Sequence, residues 1–354
     1  MMQTRRDFIL GAAGAVGAMA SGCVGLGKVA NQRLLTPRMM WAYLAQFGMK
    51  LWERRKHYTD LKLDESMWKS LTERAGEVGV NVFVFDLAEG MVFPSHPELA
   101  VKGSWEPERM KDEIARLKGM GMIAVPKLNF STCHDFWLGD YARMISSPTY
   151  YKVVKDLIDD TCEIFDNPPY FHIGMDEEGY KWSSGNAYCV YREGDLWWHD
   201  IGFYAKCLEK NNSRPWMFSN PGTRDPKEFY ARLPKSFLHS PWSYAERFTD
   251  PKAAVDSDHS RSDVFTRMAE KGFDLVPCGS VWCSGRLKAR GLAVNVKNHP
   301  NLAMFCRKHI PPERISGFFM VPWCTSTKDG DFKFMAGCDM NDVARAMFEG
   351  KDQI

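Results

Sequence analysis

Two adjacent carboxylates, Asp176 and Glu177, with a third, Glu178, behind them, close the apolar stretch Tyr170-Phe171-His172-Ile173-Gly174-Met175. Such a group can carry a proton and hold a polar ligand at once. A general acid keeps its proton near neutral pH when it is partly buried or has an anion beside it, and neighbouring acids supply the second condition. The stretch before them sets Tyr170, Phe171, Ile173 and Met175 among few polar residues, which predicts a strand covered on both faces, as in a parallel sheet. Acids at the C-terminal end of such a strand lie where open α/β sheets and barrels place their chemistry. Asp176 and Glu177 are therefore the candidate catalytic residues. His172, lower on the same strand, is read as orienting Asp176 from behind rather than acting as a base. The plain alternative is a solvated strand-end ion cluster with Lys181 or Arg192.

The elements that must position these acids follow from a regular beat of strand, loop and helix. Apolar runs predict eight strands, at 39–45, 81–87, 122–130, 170–176, 214–220, 236–244, 274–282 and 315–323. Between them apolar residues recur at helical spacing, as in Met67, Leu71 and Ala75, or Tyr151, Val154, Ile158 and Cys162. Pro107 and Pro148 stand at helix starts, with Ser147 as an N-cap. Further helices are expected at 198–210, 226–233, 263–271, 302–309 and 341–349. Strands alternating with helices imply right-handed crossovers, and a count of eight favours an α/β fold of one (β/α)8 TIM barrel over an open doubly wound sheet.

In a closed barrel the strand ends share one bowl. Its expected substrate-binding residues are Asp86, Asn129, His134, Glu178, Trp242, Tyr244, Glu246, Trp282 and Trp323, with Gln46, Glu89 and Asn220 also at strand ends. Indole faces suit the C–H faces of pyranose rings, and carboxylates and amides suit their hydroxyls. Together they point to glycoside hydrolysis, whose oxocarbenium-like transition state needs a proton donor and nearby negative charge. Neighbours on one strand cannot easily straddle a bond as acid and nucleophile. Either Glu246 or Asp86 supplies a second carboxylate, or the substrate supplies its own nucleophile. His134-Asp135 reads equally as a coupled pair or as a loop-tip hydrogen bond.

The 354-residue chain carries 46 Lys plus Arg against 44 Asp plus Glu and is 45% hydrophobic. That balance offers no electrostatic case for nucleic acid, so a neutral glycan or oligosaccharide is the expected partner. Residues 1–23 read as a targeting segment. Thr4-Arg5-Arg6-Asp7-Phe8-Ile9-Leu10 resembles a twin-arginine export signal, and Ala20-Ser21-Gly22-Cys23 resembles a bacterial lipoprotein cleavage box with Cys23 lipidated. Residues 24–37 would be a linker, 38–354 the barrel, and an acyl chain the membrane attachment of an exported envelope protein. The nine later cysteines are scattered without metal-site spacing, and most are expected to serve as small core residues, with one later disulfide left open. Neither a metal nor another cofactor is expected.

One family is matched in order along the chain. His172-Ile173-Gly174-Met175-Asp176-Glu177 resembles the H-x-G-G-D-E strand-four motif of family 20 glycoside hydrolases, the β-N-acetylhexosaminidases. Asn81-Val82 through Asp86, His96-Pro97-Glu98-Leu99 and Gly103-Ser104-Trp105-Glu106-Pro107-Glu108 resemble that family's strand two and following loop. Ala124-Val125-Pro126-Lys127-Leu128-Asn129 stands in the place of its strand three. The resemblance covers roughly residues 80 to 180. It implies that the substrate's acetamido oxygen attacks the anomeric carbon, Asp176 orients and polarises the acetamido group, and Glu177 is the acid/base. Tyr244 would offer a hydroxyl to the acetamido oxygen. The chain departs from the family at Met175, in place of the second glycine, and at Lys127 and Asn129, where Glu and Asp are usual. The resulting expectation is a divergent retaining glycosidase acting on N-acetylated amino sugars. Two alternatives are a surface lipoprotein that binds glycan without cleaving it, and a two-carboxylate glycosidase using Glu177 and Glu246.

Overall fold

The computed structural model describes residues 39–48, 59–184, 188–219, 226–248 and 262–351. Residues 38–354 form one compact unit. The targeting segment, Cys23, the linker and Asn220 lie outside the described residues.

The predicted strands are all present, mostly shorter than the apolar runs that announce them: β1 (Met40–Gln46), β2 (Val82–Asp86), β3 (Ile123–Lys127), β4 (Tyr170–His172), β5 (Arg214–Phe218), β6 (Leu238–Ser240), β7 (Asp274–Leu275), β8 (Cys278–Gly279) and β9 (Gly317–Met320). Every pair is parallel. β7 and β8 are two pieces of one seventh strand broken at Val276-Pro277, since proline has no N–H for a ladder. β7 pairs with β6 and β8 with β9. Val276 N and Cys278 N donate to His239 O and Pro241 O on one side, and Ser316 N and Phe319 N donate to Leu275 O and Pro277 O on the other. That shared strand closes the ring.

Outside the ring run α1 (Glu65–Glu77), α2 (Pro107–Gly119), α3 (Pro148–Ile164), the single turn α4 (Tyr180–Ser183), α5 (Gly194–Lys210), α6 (Pro226–Arg232), α7 (Asp263–Glu270), α8 (Gly285–Ala289), α9 (Asn298–His309) and α10 (Asp331–Glu349). Ser147 caps α3 by accepting from Tyr150 N at 3.3 Å, with Pro148 in its first turn. α10 begins ten residues before the expected 341. Gly337 disguises its first half, because glycine is a poor helix former. It is there for a close approach: a Cβ at 337 would strike the Tyr43 ring, whose hydroxyl donates to Phe334 O at 2.7 Å.

Period-two alternation sorts the strands into two layers. Ala42, Leu44, Val82, Val84, Val125, Trp216, Phe218 and Phe319 fill the barrel interior. Tyr43, Phe83, Phe85 and Phe171 point outward into the helix layer. Eight of the nine described cysteines are buried, as expected of small core residues. The same alternation turns polar residues inward at the top. Cα register pairs Gln46 with Asp86, Asp86 with Lys127, Lys127 with His172 and His172 with Trp216. Lys127 Nζ meets Asp86 Oδ2 at 2.7 Å, both side chains about 1% exposed. The His172 ring packs against Phe218, Trp216 and Phe319. This layer is the floor beneath the candidate site.

Two predictions follow from this interior. Removing one member of a fully buried ion pair leaves an uncompensated charge, so Lys127→Met is expected to cost about 3–5 kcal/mol in urea unfolding, and adding Asp86→Asn to recover most of it. Equal losses in the single and double variants would refute the pairing argument. The second prediction concerns pH. His239 donates from Nε2 to Pro234 O, which can only accept, and its Nδ1 faces Ser219 Oγ, both at 2.8 Å. Burial holds its pKa down at about 3 and that of His299 at about 4. Both pKa values lie below the unfolded value of about 6.5, so below that pH the unfolded chain takes up protons that the fold refuses. The share of stability due to these two histidines should be full above pH ~6.5 and fall as pH drops toward ~4. The double variant His239→Gln/His299→Gln should show a shallower slope than the wild type, and identical slopes would exclude these residues as the cause.

Candidate active site

Above the polar floor, Asn129 fixes the geometry. Its Oδ1 accepts from Ser131 N at 3.0 Å and Met175 N at 3.3 Å, and its Nδ2 donates to Asp176 Oδ1 at 2.9 Å. Trp137 Nε1 donates to the Asn129 carbonyl, and Ser131 Oγ to that of Asp176. The ends of β3 and β4 are thereby held against each other. Gly174 is needed here, since at φ 73° a Cβ would fall on Asn129 Oδ1. Met175 and Glu177 are also left-handed, with φ 73° and 55°, at ~1–2 kcal/mol each for L-residues. The chain thus turns sharply twice, so that consecutive carboxylates end on the same wall.

His134 joins them. Its Nε2 lies 3.4 Å from Asp176 Oδ2 and 3.3 Å from Glu177 Oε2. Asp176 is 10% exposed and Glu177 30%, so Glu177 faces the open mouth and Asp176 lies behind it. Burial by itself would lower the His134 pKa, but the two carboxylates outweigh it and hold it up at about 10. Burial would raise Asp176, yet His134, Lys127 and the Asn129 donor together hold it well below the usual carboxylate range. Asp176 is therefore an anion across the neutral range, ready to accept a hydrogen bond.

An aromatic wall stands nearby. Trp242 stacks on Tyr244 at 5.3 Å, and Trp282 lies 5.9 Å from the Tyr244 ring. Trp323 Nε1 donates to the Tyr244 hydroxyl at 2.7 Å. That hydroxyl sits beside Cys278 and feels the charges of Asp176 and Glu177. The phenol accepts from Trp323 and is hydrogen-bonded to the Cys278 sulfur, so giving its hydrogen to a ligand would mean turning away from that sulfur. All three tryptophans and Tyr244 are half-buried, presenting part of their surface.

Several expected residues do other work. Asp86 is the buried partner of Lys127, and burial raises its pKa against the pull of that lysine. It lines the floor and does not reach the bowl. Glu178 is fully buried, accepting from Arg192 at 3.0 Å and Thr132 Oγ1 at 2.9 Å. Arg192 and Thr132 hold it in the interior, whereas Glu177 is part-exposed at the mouth. His172 does not touch Asp176: its Nδ1 accepts from Gly174 N at 3.0 Å, shaping the turn instead. Glu246 is bound to Arg290 at 2.6 Å. Arg192 pairs with Glu178 and Asp200, leaving Asp176 and Glu177 to His134.

Sequence reasoning named Arg192 only as a partner of Asp176 and Glu177 in a solvated ion cluster, and it passed over Ser131. Arg192 is fully buried and holds Asp200 and Tyr204 at 2.8 Å, Glu178 and the Phe130 carbonyl. No local pattern announces it. Ser131 was visible only as a small polar residue after a strand.

No family model matches the sequence, and no curated protein is similar to it. Solved structures do match. The Flavobacterium johnsoniae chitobiase is similar over 89% of this chain and 51% of its own, at 17% identity and a TM-score of 0.56. The family 20 β-N-acetylhexosaminidase of Streptomyces coelicolor A3(2) is similar over 87% and 64%, at 14% identity and 0.61. The β-N-acetylhexosaminidase of Bacteroides fragilis NCTC 9343 is similar over 85% and 66%, at 13% identity and 0.59. The chain thus spans about half the length of the first and roughly two thirds of the others. Likeness at such identities is a likeness of fold: the chain carries a (β/α)8 barrel of the kind found in the family 20 β-N-acetylhexosaminidases.

Proposed function

We propose that this chain is a glycoside hydrolase that removes N-acetylhexosamine from the end of a glycan, with the substrate's acetamido group as the nucleophile. The observation that carries this reading is the sharing of one His134 nitrogen by Asp176 and Glu177, within 3.4 and 3.3 Å. Carboxylates that meet at one nitrogen stand on one wall. They cannot flank an anomeric carbon as acid and opposing nucleophile do in a two-carboxylate enzyme, and Glu246 is already engaged by Arg290. A nucleophile from the substrate removes the difficulty.

In this reading the ionised Asp176 accepts the acetamido N–H and aims the carbonyl oxygen at the anomeric carbon. Tyr244 donates to that oxygen. As the oxygen bonds to carbon, the glycosidic bond breaks and its oxygen takes the proton of Glu177. Glu177, now a base, then deprotonates the water that opens the cyclic intermediate. Trp242, Trp282 and Trp323 offer faces for the sugar ring. The similar barrels of the Bacteroides fragilis and Streptomyces coelicolor β-N-acetylhexosaminidases support the substrate class. A second reading, glycan binding without cleavage, draws on one observation: Lys127 captures Asp86 in the floor.

We also propose that the chain is exported folded through its twin-arginine segment and anchored by an acylated Cys23. A fold with eight buried thiols suits maturation in a reducing compartment before export.

Aryl and disaccharide substrates with and without the 2-acetamido group test the catalytic reading. Glu177→Gln should lower kcat by about 10²–10⁴-fold, more on the disaccharide than on an activated aryl glycoside, and a thiazoline mimic of the intermediate should inhibit. Equal turnover of substrates lacking the acetamido group would sink substrate assistance, and binding without turnover would favour the second reading. For export, Arg5→Lys/Arg6→Lys should retain the chain in the cytoplasm, and Cys23→Ser should abolish incorporation of labelled fatty acid. Normal fractionation of the first variant would reject the route.

A further inference from the structure

One cluster at the site joins Glu177 to a thiol that the proposed reaction does not use. Cys133 Sγ, a His134 ring nitrogen and a Glu177 carboxylate oxygen all lie within 4.8 Å of one another. Ser131 holds the first two together: its hydroxyl accepts from Cys133 N at 3.3 Å and its carbonyl from His134 N at 2.9 Å. Cys133 forms no disulfide. Glu177 arrives from the other strand end, turned inward by its left-handed backbone. Spacing in the sequence gives no metal pattern because the third donor comes from a different strand.

A thiolate, an imidazole and a carboxylate form a mixed S, N, O donor set. Calcium and magnesium prefer all-oxygen shells, whereas zinc takes all three donors at about 2.0–2.3 Å in a tetrahedron. The edges of such a tetrahedron are roughly 3.3–3.7 Å, so the donors need close by about an ångström. Glu177, the most exposed of them, has room to do so. Three protein ligands leave the fourth position to water or substrate.

We propose that Cys133, His134 and Glu177 form a site for a thiophilic divalent cation, with Zn2+ the best fit, and that its occupancy withdraws Glu177 from proton transfer and so inhibits the enzyme reversibly. The Cys133 thiol proton and the imidazolium proton of His134 both pass to solvent on coordination. The inhibitory half rests on the acid role proposed for Glu177, while the metal site stands on the donor geometry alone.

Titrating the full-length, metal-free protein with Co2+ reads the site directly, because a cobalt-bound thiolate gives a charge-transfer absorption that Zn2+ should abolish by displacement. The expected result is one equivalent of Co2+ with that absorption, absent in Cys133→Ser and retained in Cys189→Ser, the control at the exposed cysteine. Glu177→Gln, at a half-exposed position that leaves the packing intact, should weaken Co2+ and Zn2+ by at least about tenfold. An absorption that persists in Cys133→Ser, unchanged affinity in Glu177→Gln, or no binding below millimolar Co2+ would overturn the site. Zn2+ should inhibit wild-type hydrolysis over the same concentration range and Cys133→Ser at least about tenfold less well. Saturating Zn2+ without inhibition would overturn the regulatory half. A wild type with no hydrolase activity would count against the function proposed above, and the cobalt spectrum would still decide the site.

Discussion

The carboxamide of Asn129 is the joint on which the site depends. One side chain uses its oxygen to satisfy two backbone N–H groups, one in its own loop and one in the neighbouring strand end, and its nitrogen to hold Asp176. Aspartate, the residue usual at this place in the family resembled, would offer the same acceptors. It would present an anion to Asp176 in place of a donor. An amide here lets Asp176 stay ionised while buried, and an ionised Asp176 is what draws His134 into the space between the two carboxylates. The exchange of one atom type thus sets the charge pattern of the whole wall.

The floor beneath follows the same logic. Lys127 stands where that family has glutamate, and it occupies the barrel axis with Asp86 as partner. A lysine at this depth needs a carboxylate within hydrogen-bond range or it would not remain charged. Asp86 is therefore committed to structure. Its positive partner also helps depress the Asp176 pKa from below and that of His172 beside it. Asn129 donates to Asp176 and Lys127 attracts it from below, so both departures act on one carboxylate.

Strands were legible because both of their faces are buried, which writes an unbroken apolar run into 82–85 or 318–321, and the beat of eight was enough to infer the ring. What closes that ring was not legible. Pro277 splits the seventh strand into two short ladders, one registered on β6 and the other on β9, and single hydrogen bonds from each half to the other neighbour complete the closure. Residue types at the strand ends were predictable, but their direction was not. Asp176 and Glu177 share a wall only because Met175 and Glu177 adopt left-handed backbone, a conformation that a sequence containing Gly-Met-Asp-Glu gives little reason to expect. The same turns send Glu178 behind the strand, where part of its environment comes from Arg192. Long-range partners of this kind leave no periodic trace.

Arg192 shows how the strain at those turns can persist. Backbone held in sparsely populated regions survives when its surroundings over-determine it. Arg192 ties the carbonyl of Phe130, at the end of the β3 segment, to Glu178 just beyond the strained residues, and both to Asp200 and Tyr204 on α5. Asp135 lies close enough to feel both Arg192 and Glu178, and burial raises its pKa to about 8, so near neutrality it is mostly uncharged. The single guanidinium is then left to balance two carboxylates rather than three. The wall of Asp176 and Glu177 faces the mouth with His134 between its carboxyl groups, and the Arg192 cluster is sealed behind it. Separating the two clusters by one strand lets the front carboxylates respond to a ligand while the charges that hold the backbone in place stay out of reach of solvent.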